Sequence, residues 1–286
     1  MENTRGSLLM IAAMAAFAFE DMFIKAATGS LPVGQVLIIF GFGGTLIFMG
    51  LTYRRGERVL HPAILSPVLI IRAICEVVGR LCFTLAIALT PLSSASAILQ
   101  ATPLVVALGG VVFFRETVGW RRWLAIGLGF VGVLFILRPG LDGFETASLF
   151  AVAGTLGFAG RDLATRAAPP VLSNMQLGVY GFVMLIPTGL VMMIYTGGWV
   201  VPSLLVSGQL GAAIIIGVLA YYSLTGAMRT GEISVVAPFR YTRLVFALIL
   251  GSLVFSERPD VMTLAGSAII VLSGLYTVFR SRLQGK

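Results

Sequence analysis

Ten apolar stretches constrain this chain more than any other feature: about 7–25, 34–52, 66–89, 93–114, 122–137, 147–165, 175–196, 208–228, 233–255 and 261–279. A helix that crosses hydrocarbon needs about 20 apolar residues. Ten of them leave only about 86 of the 286 residues, roughly eight per connection, for loops and tails. No soluble catalytic domain fits in that remainder. Composition agrees: 58% of residues are apolar and 11% charged, where a soluble domain carries about 25% charged. The chain therefore reads as an all-α integral membrane protein. Turn-forming residues separate the stretches, among them Ser30-Leu31-Pro32, Thr90-Pro91, Arg138-Pro139-Gly140, Pro169-Pro170, Gly197-Gly198 and Arg258-Pro259. The first stretch is longer than the apolar core of a secretion signal and is interrupted by Glu20-Asp21, so it counts as a span.

The formal charge of +8 points to topology, not to nucleic acid. Basic residues are retained in cytoplasmic loops. With the N-terminus inside, Arg5, Arg54, Arg55, Arg58, Arg115, Arg121, Arg122, Arg166, Arg229, Arg280, Arg282 and Lys286 fall on the cytoplasmic side. Only Lys25, Arg138 and Arg258 fall outside, so both termini are expected in the cytoplasm. Cys75 and Cys82, the only cysteines, would lie about 10 Å apart along one helix, beyond disulfide reach.

A shift of 141 residues lays the chain on itself. Ser7-Leu8 meets Ser148-Leu149, Phe17-Ala18 meets Phe158-Ala159, Asp21 meets Asp162, Lys25 meets Arg166 and Gln35 meets Gln176. At the same offset Gly110 meets Gly251, Phe114 meets Phe255 and Glu116 meets Glu257. Each half holds five spans, an odd number, so the second copy enters the membrane upside down. Inverted repeats of this kind build secondary transporters, with the substrate site near the midplane between the halves.

The two copies of Phe-x-Glu (Phe114-Arg115-Glu116 and Phe255-Ser256-Glu257), each followed by a glycine-rich last helix (Gly127 to Gly132, Gly266 to Gly274), resemble EamA repeats of the drug/metabolite transporter (DMT) superfamily. The resemblance covers essentially the whole chain, and within the superfamily it is strongest to bacterial exporters of aromatic amino acids. It implies ten transmembrane helices as two inverted five-helix repeats, residues 1–140 and 147–286, in the bacterial inner membrane. It also implies export of a small metabolite by alternating access, with no enzyme activity and no cofactor. Relatives move sugars, nucleotide precursors, vitamins and drugs on the same frame, so import or exchange of such a metabolite stays open.

Ionisable groups at bilayer depth are costly unless paired or hydrated, and they mark interior surfaces. Glu20, Asp21, Glu76 and Asp162 accompany Arg72, Arg80, Arg161, Arg240 and Arg243 inside spans, and mutual neutralisation competes with ligand binding for each. Asp21 with Lys25, and Asp162 with Arg166, are spaced i, i+4 in both halves and read as scaffold pairs. Arg72, Glu76 and Arg80 recur every four residues with Phe83 on the same stripe, so that face turns inward; Glu76 would bridge its two arginines.

Positions where the halves differ are the candidate substrate contacts. Glu20 corresponds to Arg161, Arg80 to Tyr221, Leu99 to Arg240, Gln100 to Tyr241 and Thr102 to Arg243. Arg240 or Arg243 would hold a carboxylate as a bidentate pair, with Glu20 receiving an ammonium group. Phe17, Phe83, Phe158, Tyr221, Tyr222 and Tyr241 would pack on the rest of the ligand or simply on each other. Pro103 and Pro238 interrupt the fourth and ninth spans and are candidate gates. The expected partners are a small-molecule substrate, the bilayer and protons as a coupling ion through Glu20 or Glu76. The first, third, fourth, sixth, eighth and ninth spans should line the cavity. No Gly-rich phosphate loop, metal-ligand cluster or His-based triad occurs, and the lone His61 falls in a loop.

Overall fold

The computed structural model describes residues 2–114, 120–137, 145–229 and 237–284. The helices are α1 (Glu2–Thr28), α2 (Val33–Arg54), α3 (Pro67–Leu89), α4 (Leu92–Leu99), α5 (Thr102–Phe114) and α6 (Trp120–Leu137). The second half supplies α7 (Ser148–Arg166), α8 (Asn174–Val183), α9 (Leu185–Thr196), α10 (Leu204–Arg229), α11 (Thr242–Phe255) and α12 (Val261–Gln284). Taken end to end, α4 with α5, α8 with α9, and a short 3₁₀ segment (Ala237–Tyr241) with α11 each make one rod. Among the described residues ten rods result, at the places where the apolar stretches lie. Among the described residues five, α1, α2, α4–α5, α8–α9 and α10, are both long and apolar enough to cross a membrane. Of the others, α6 and α12 hold shorter apolar stretches (Gly127–Leu137 and Val261–Ser273), α11 has 14 residues, and α3 and α7 carry three charged residues each.

Local chemistry explains where each rod starts, stops and breaks. Pro32 ends the turn after α1, and Gly56 follows α2 with φ +69°, a conformation a side chain would strain. Pro103 has no N–H to give the Leu99 carbonyl, and the Thr102 hydroxyl donates to that oxygen instead, at 2.5 Å. The fourth rod breaks there, at Gln100-Ala101. The seventh breaks at Met184 ahead of Pro187, with Thr188 donating to the Met184 carbonyl at 2.7 Å. The sequence reading had an unbroken stretch at this point. In the ninth rod Pro238 lies in the 3₁₀ segment just before α11.

Packing follows the repeat. α3 lies along α7, and its counterpart pair α10 lies along α1. α2 packs on α8 and α9, and α6 on α12, so these rods meet their own equivalents. A two-fold exchange of halves accounts for all four pairings. Small residues let the backbones approach: a Cβ on Gly157 would lie 2.6 Å from the Gly79 Cα, and one on Gly132 would lie 2.8 Å from the Gly266 carbonyl oxygen. The loops are tied the same way. Gln35 exchanges two hydrogen bonds with the backbone of Val200 (2.6 and 3.0 Å), and its counterpart Gln176 donates to the Arg58 carbonyl at 2.7 Å.

Candidate functional site

The breaks in the fourth and ninth rods meet at the centre. Gln100, on the first, donates to the Arg240 carbonyl on the second at 3.1 Å. Beside this crossing lies a cavity faced by Arg80, Arg161, Arg240, Arg243, Gln100 and Thr102. Phe17, Phe158, Met14, Leu99, Leu224 and Pro103 complete its wall. These residues belong to the first, third, fourth, sixth, eighth and ninth rods, three from each half. Breaking a helix beside the cavity frees backbone groups and brings two chain segments to it that an unbroken rod would hold away.

The acids partner differently from the i, i+4 reading. Arg80 pairs with Glu20 at 2.5 Å, from α3 to α1. Arg243 pairs with Asp21 at 2.6 Å, and Arg240 with Asp162 at 3.0 Å. Arg161 donates to Asp162 at 2.9 Å and to Glu76 at 3.3 Å, and Arg72 stands 3.7 Å from Glu76. A common design emerges. On α1 the residue pair Glu20-Asp21 reaches α3 and then α11; on α7 the equivalent pair Arg161-Asp162 reaches α3 and then the 3₁₀ segment before α11. Desolvated charges are tolerable here because each faces an opposite one.

Several sequence expectations are corrected by this network. Asp21 does not pair with Lys25: it is buried against Arg243, and Lys25 turns to the Ile87 and Thr90 carbonyls (2.9 and 2.6 Å) and to Glu257. The Asp162–Arg166 pairing involves a side chain outside the described ones, and Asp162 itself faces Arg161 and Arg240. Glu76 bridges Arg72 and Arg161 and leaves Arg80 to Glu20. Glu20 is fully buried behind Arg80 and does not face the cavity, so it offers no ammonium seat. The physical reason is shared: contacts from other helices bring a complementary charge closer than the same helix does.

The aromatics divide as well. Phe17 and Phe158 reach the cavity wall, but their faces carry guanidinium groups, Arg243 at 4.9 Å from Phe17 and Arg161 at 4.8 Å from Phe158. Phe83 is buried behind them, 5.5 Å from Arg243 and edge-on to Phe158 at 6.0 Å. The Tyr221 hydroxyl accepts from Arg72 at 2.9 Å and its ring packs on Phe48, away from the lining. Tyr222 is 46% exposed and Tyr241 is buried, and neither lines the cavity. The Tyr241 hydroxyl has no hydrogen-bond partner among the described residues. Pro103 lines the cavity, whereas the Pro238 side chain lies outside the described ones. Asp21 and Asp162, read from sequence as scaffold, hold three of the four cavity arginines, Arg243, Arg161 and Arg240; their signal was the neighbouring exchange of Glu20 for Arg161.

At the end of the bundle away from both termini, Glu257 accepts from the backbone N–H groups of Leu92 and Ser93 (2.6 and 3.0 Å) and from the Ser93 hydroxyl (2.7 Å). Lys25 stands 3.8 Å away. The glutamate of the second Phe-x-Glu therefore caps α4 of the other half. Its turn is made by Ser256 at φ 54°. The first copy, Glu116, lies outside the described residues.

Ten rods in two inverted copies around an arginine-lined cavity define a multi-pass membrane transporter. The chain belongs to the EamA-like transporter family, which matches residues 4–138 and 146–279. It is similar to the S-adenosylmethionine uptake transporter of Rickettsia felis, 25% identical over 92% of this chain and 88% of that protein. It is also similar to the pseudopaline exporter CntI of Pseudomonas aeruginosa, 27% identical over 94% of each chain. A riboflavin transporter of Vibrio cholerae is 31% identical over 64% of this chain and 61% of its own. A solved crystal structure with TM-score 0.66 and 18% identity, matched over 97% of this chain and 98% of that one, shares the fold. The relatives are named for three different small molecules and for both uptake and export. They bear out small-metabolite transport in the family without singling out aromatic amino-acid export.

Proposed function

We propose that this chain is a secondary transporter that exports small carboxylate-bearing metabolites, amino acids foremost, across the bacterial inner membrane by alternating access. The observation that carries the reading is the cavity itself: four arginines from both halves face one hollow where two interrupted helices cross. A guanidinium presents a planar donor fork that matches a carboxylate. Phe17, Phe158 and Leu224 offer apolar surface beside it for the rest of the ligand. The halves, 1–140 and 147–286, are the units that rock against each other, with both termini in the cytoplasm and Pro103 and Pro238 at the breaks. Glu20 and Glu76 are the acids through which protons would couple.

A second reading has its own support. Among the described residues the central network sets five arginines against four acids, Glu20, Asp21, Glu76 and Asp162. One excess positive charge favours a net anion, such as a sugar phosphate or nucleotide-like vitamin, imported or exchanged on the same frame. Counterflow in proteoliposomes preloaded with unlabelled amino acids decides between them. Uptake of radiolabelled amino acid that vanishes in Arg243→Ala, while the protein elutes as a folded monodisperse species, supports the first. Competition by phosphorylated anions but not by amino acids supports the second, and flux unchanged in Arg243→Ala removes the proposed site.

A further inference from the structure

Asp162 differs from the other three acids of the network in two respects. Its side chain is 21% exposed, against 0% for Glu20, 1% for Asp21 and 7% for Glu76. Both its oxygens are bonded: Oδ1 accepts from Arg161 Nε and Nη2 (3.1 and 2.9 Å) and Oδ2 from Arg240 Nη2 (3.0 Å). Each of the others has one buried oxygen with no hydrogen-bond partner among the described residues. A single carboxylate is thus fully coordinated between two arginines that both face the cavity. The equivalent place in the first half cannot be built this way, because Glu20 stands where Arg161 does and, among the described residues, Asp21 is hydrogen-bonded by Arg243 only.

We infer that the Arg161–Arg240 fork is the seat for the substrate's carboxylate, and that Asp162 is an internal surrogate occupying it until a ligand carboxylate takes its place. Exchange replaces one carboxylate with another on the same donors, so both arginines stay paired and the released Asp162 is the one charge that must find water. The displaced Asp162 is the most exposed of the four acids, which makes it the cheapest to release. Exchange also cuts the tie from α7 to the segment before α11, linking ligand arrival to the freedom of the ninth rod. The inference rests on the carrier reading for its purpose but not for its geometry.

The test needs no knowledge of the natural substrate. Full-length Asp162→Ala in detergent micelles is melted in sodium acetate and in sodium chloride at equal ionic strength, with acetate as the probe carboxylate. Acetate at ten times its dissociation constant should raise the Tm of Asp162→Ala by about 3–5 °C over chloride. It should leave the wild type within about a degree, and Asp162→Ala/Arg240→Ala should not respond. Equal melting of Asp162→Ala in the two salts overturns the seat and leaves Asp162 a structural anion. If Asp162→Ala does not fold, Asp162→Asn keeps an acceptor between the arginines, and the same comparison decides. The carrier reading fails separately, by absence of wild-type counterflow.

Discussion

Replacing Arg80 by methionine removes one half of a deeply buried ion pair and leaves the other in place. Arg80 meets Glu20 at 2.5 Å, with side-chain exposures of 9% and 0%. The remaining carboxylate is fully buried from solvent, so the surface-pair value of under about 1 kcal/mol does not apply. Breaking a buried pair by deleting one partner costs about 3–5 kcal/mol, because a bare charge stays behind. Methionine keeps part of the packing on Phe40, which the guanidinium covers at 5.0 Å. About 4 kcal/mol is therefore expected for Arg80→Met, near a thousandfold in the folded ratio. Adding Glu20→Gln removes the stranded charge and should recover about 2–3 kcal/mol. The assay is SDS-titrated unfolding in mixed micelles, followed by circular dichroism across wild type, both single variants and the double. A double variant no more stable than Arg80→Met, or an Arg80→Met within about 1 kcal/mol of wild type, refutes the argument that the pair is charged and desolvated.

Three further outcomes are expected. Glu257→Ala uncaps α4 and should cost about 2–3 kcal/mol in the same titration, with Glu257→Gln costing about half because its single carbonyl oxygen still accepts from one of the Leu92 and Ser93 N–H groups; equal losses would show that the remaining acceptor is irrelevant. Gly157→Ala puts a methyl group against the Gly79 backbone, which cannot rotate away, and should cost more than about 2 kcal/mol, whereas Gly208→Ala on α10, with open space around it, should be neutral or stabilise by up to about 1 kcal/mol. Their order is read from the two midpoints, and a reversed order sinks the close-packing account. Thr102→Val removes the donor to the Leu99 carbonyl freed by Pro103 and should cost about 1–2 kcal/mol; an unchanged midpoint would mean another donor serves that oxygen.

What sequence determined here is local or periodic. Apolar runs mark all ten rods, because hydrocarbon forces every backbone group to be satisfied within its own helix. Pro103 and Pro238 mark the breaks for a similarly local reason, a missing N–H. The repeat followed from one constant offset, and an odd number of spans per copy inverted the second. The inward face of α3 was legible too, since three charges on one stripe exclude lipid. Tertiary structure alone chose the partners. Asp21 and Lys25 are neighbours on a helix surface, yet Asp21 ends on Arg243, 222 positions away. Spacing along a helix lists who is near; the strength of a buried ion pair depends on which charge the packed neighbours bring to contact in the absence of water. The same choice moved Glu20 behind Arg80, turned Tyr222 outward, and placed Asp162 between two arginines, a role no periodicity encodes.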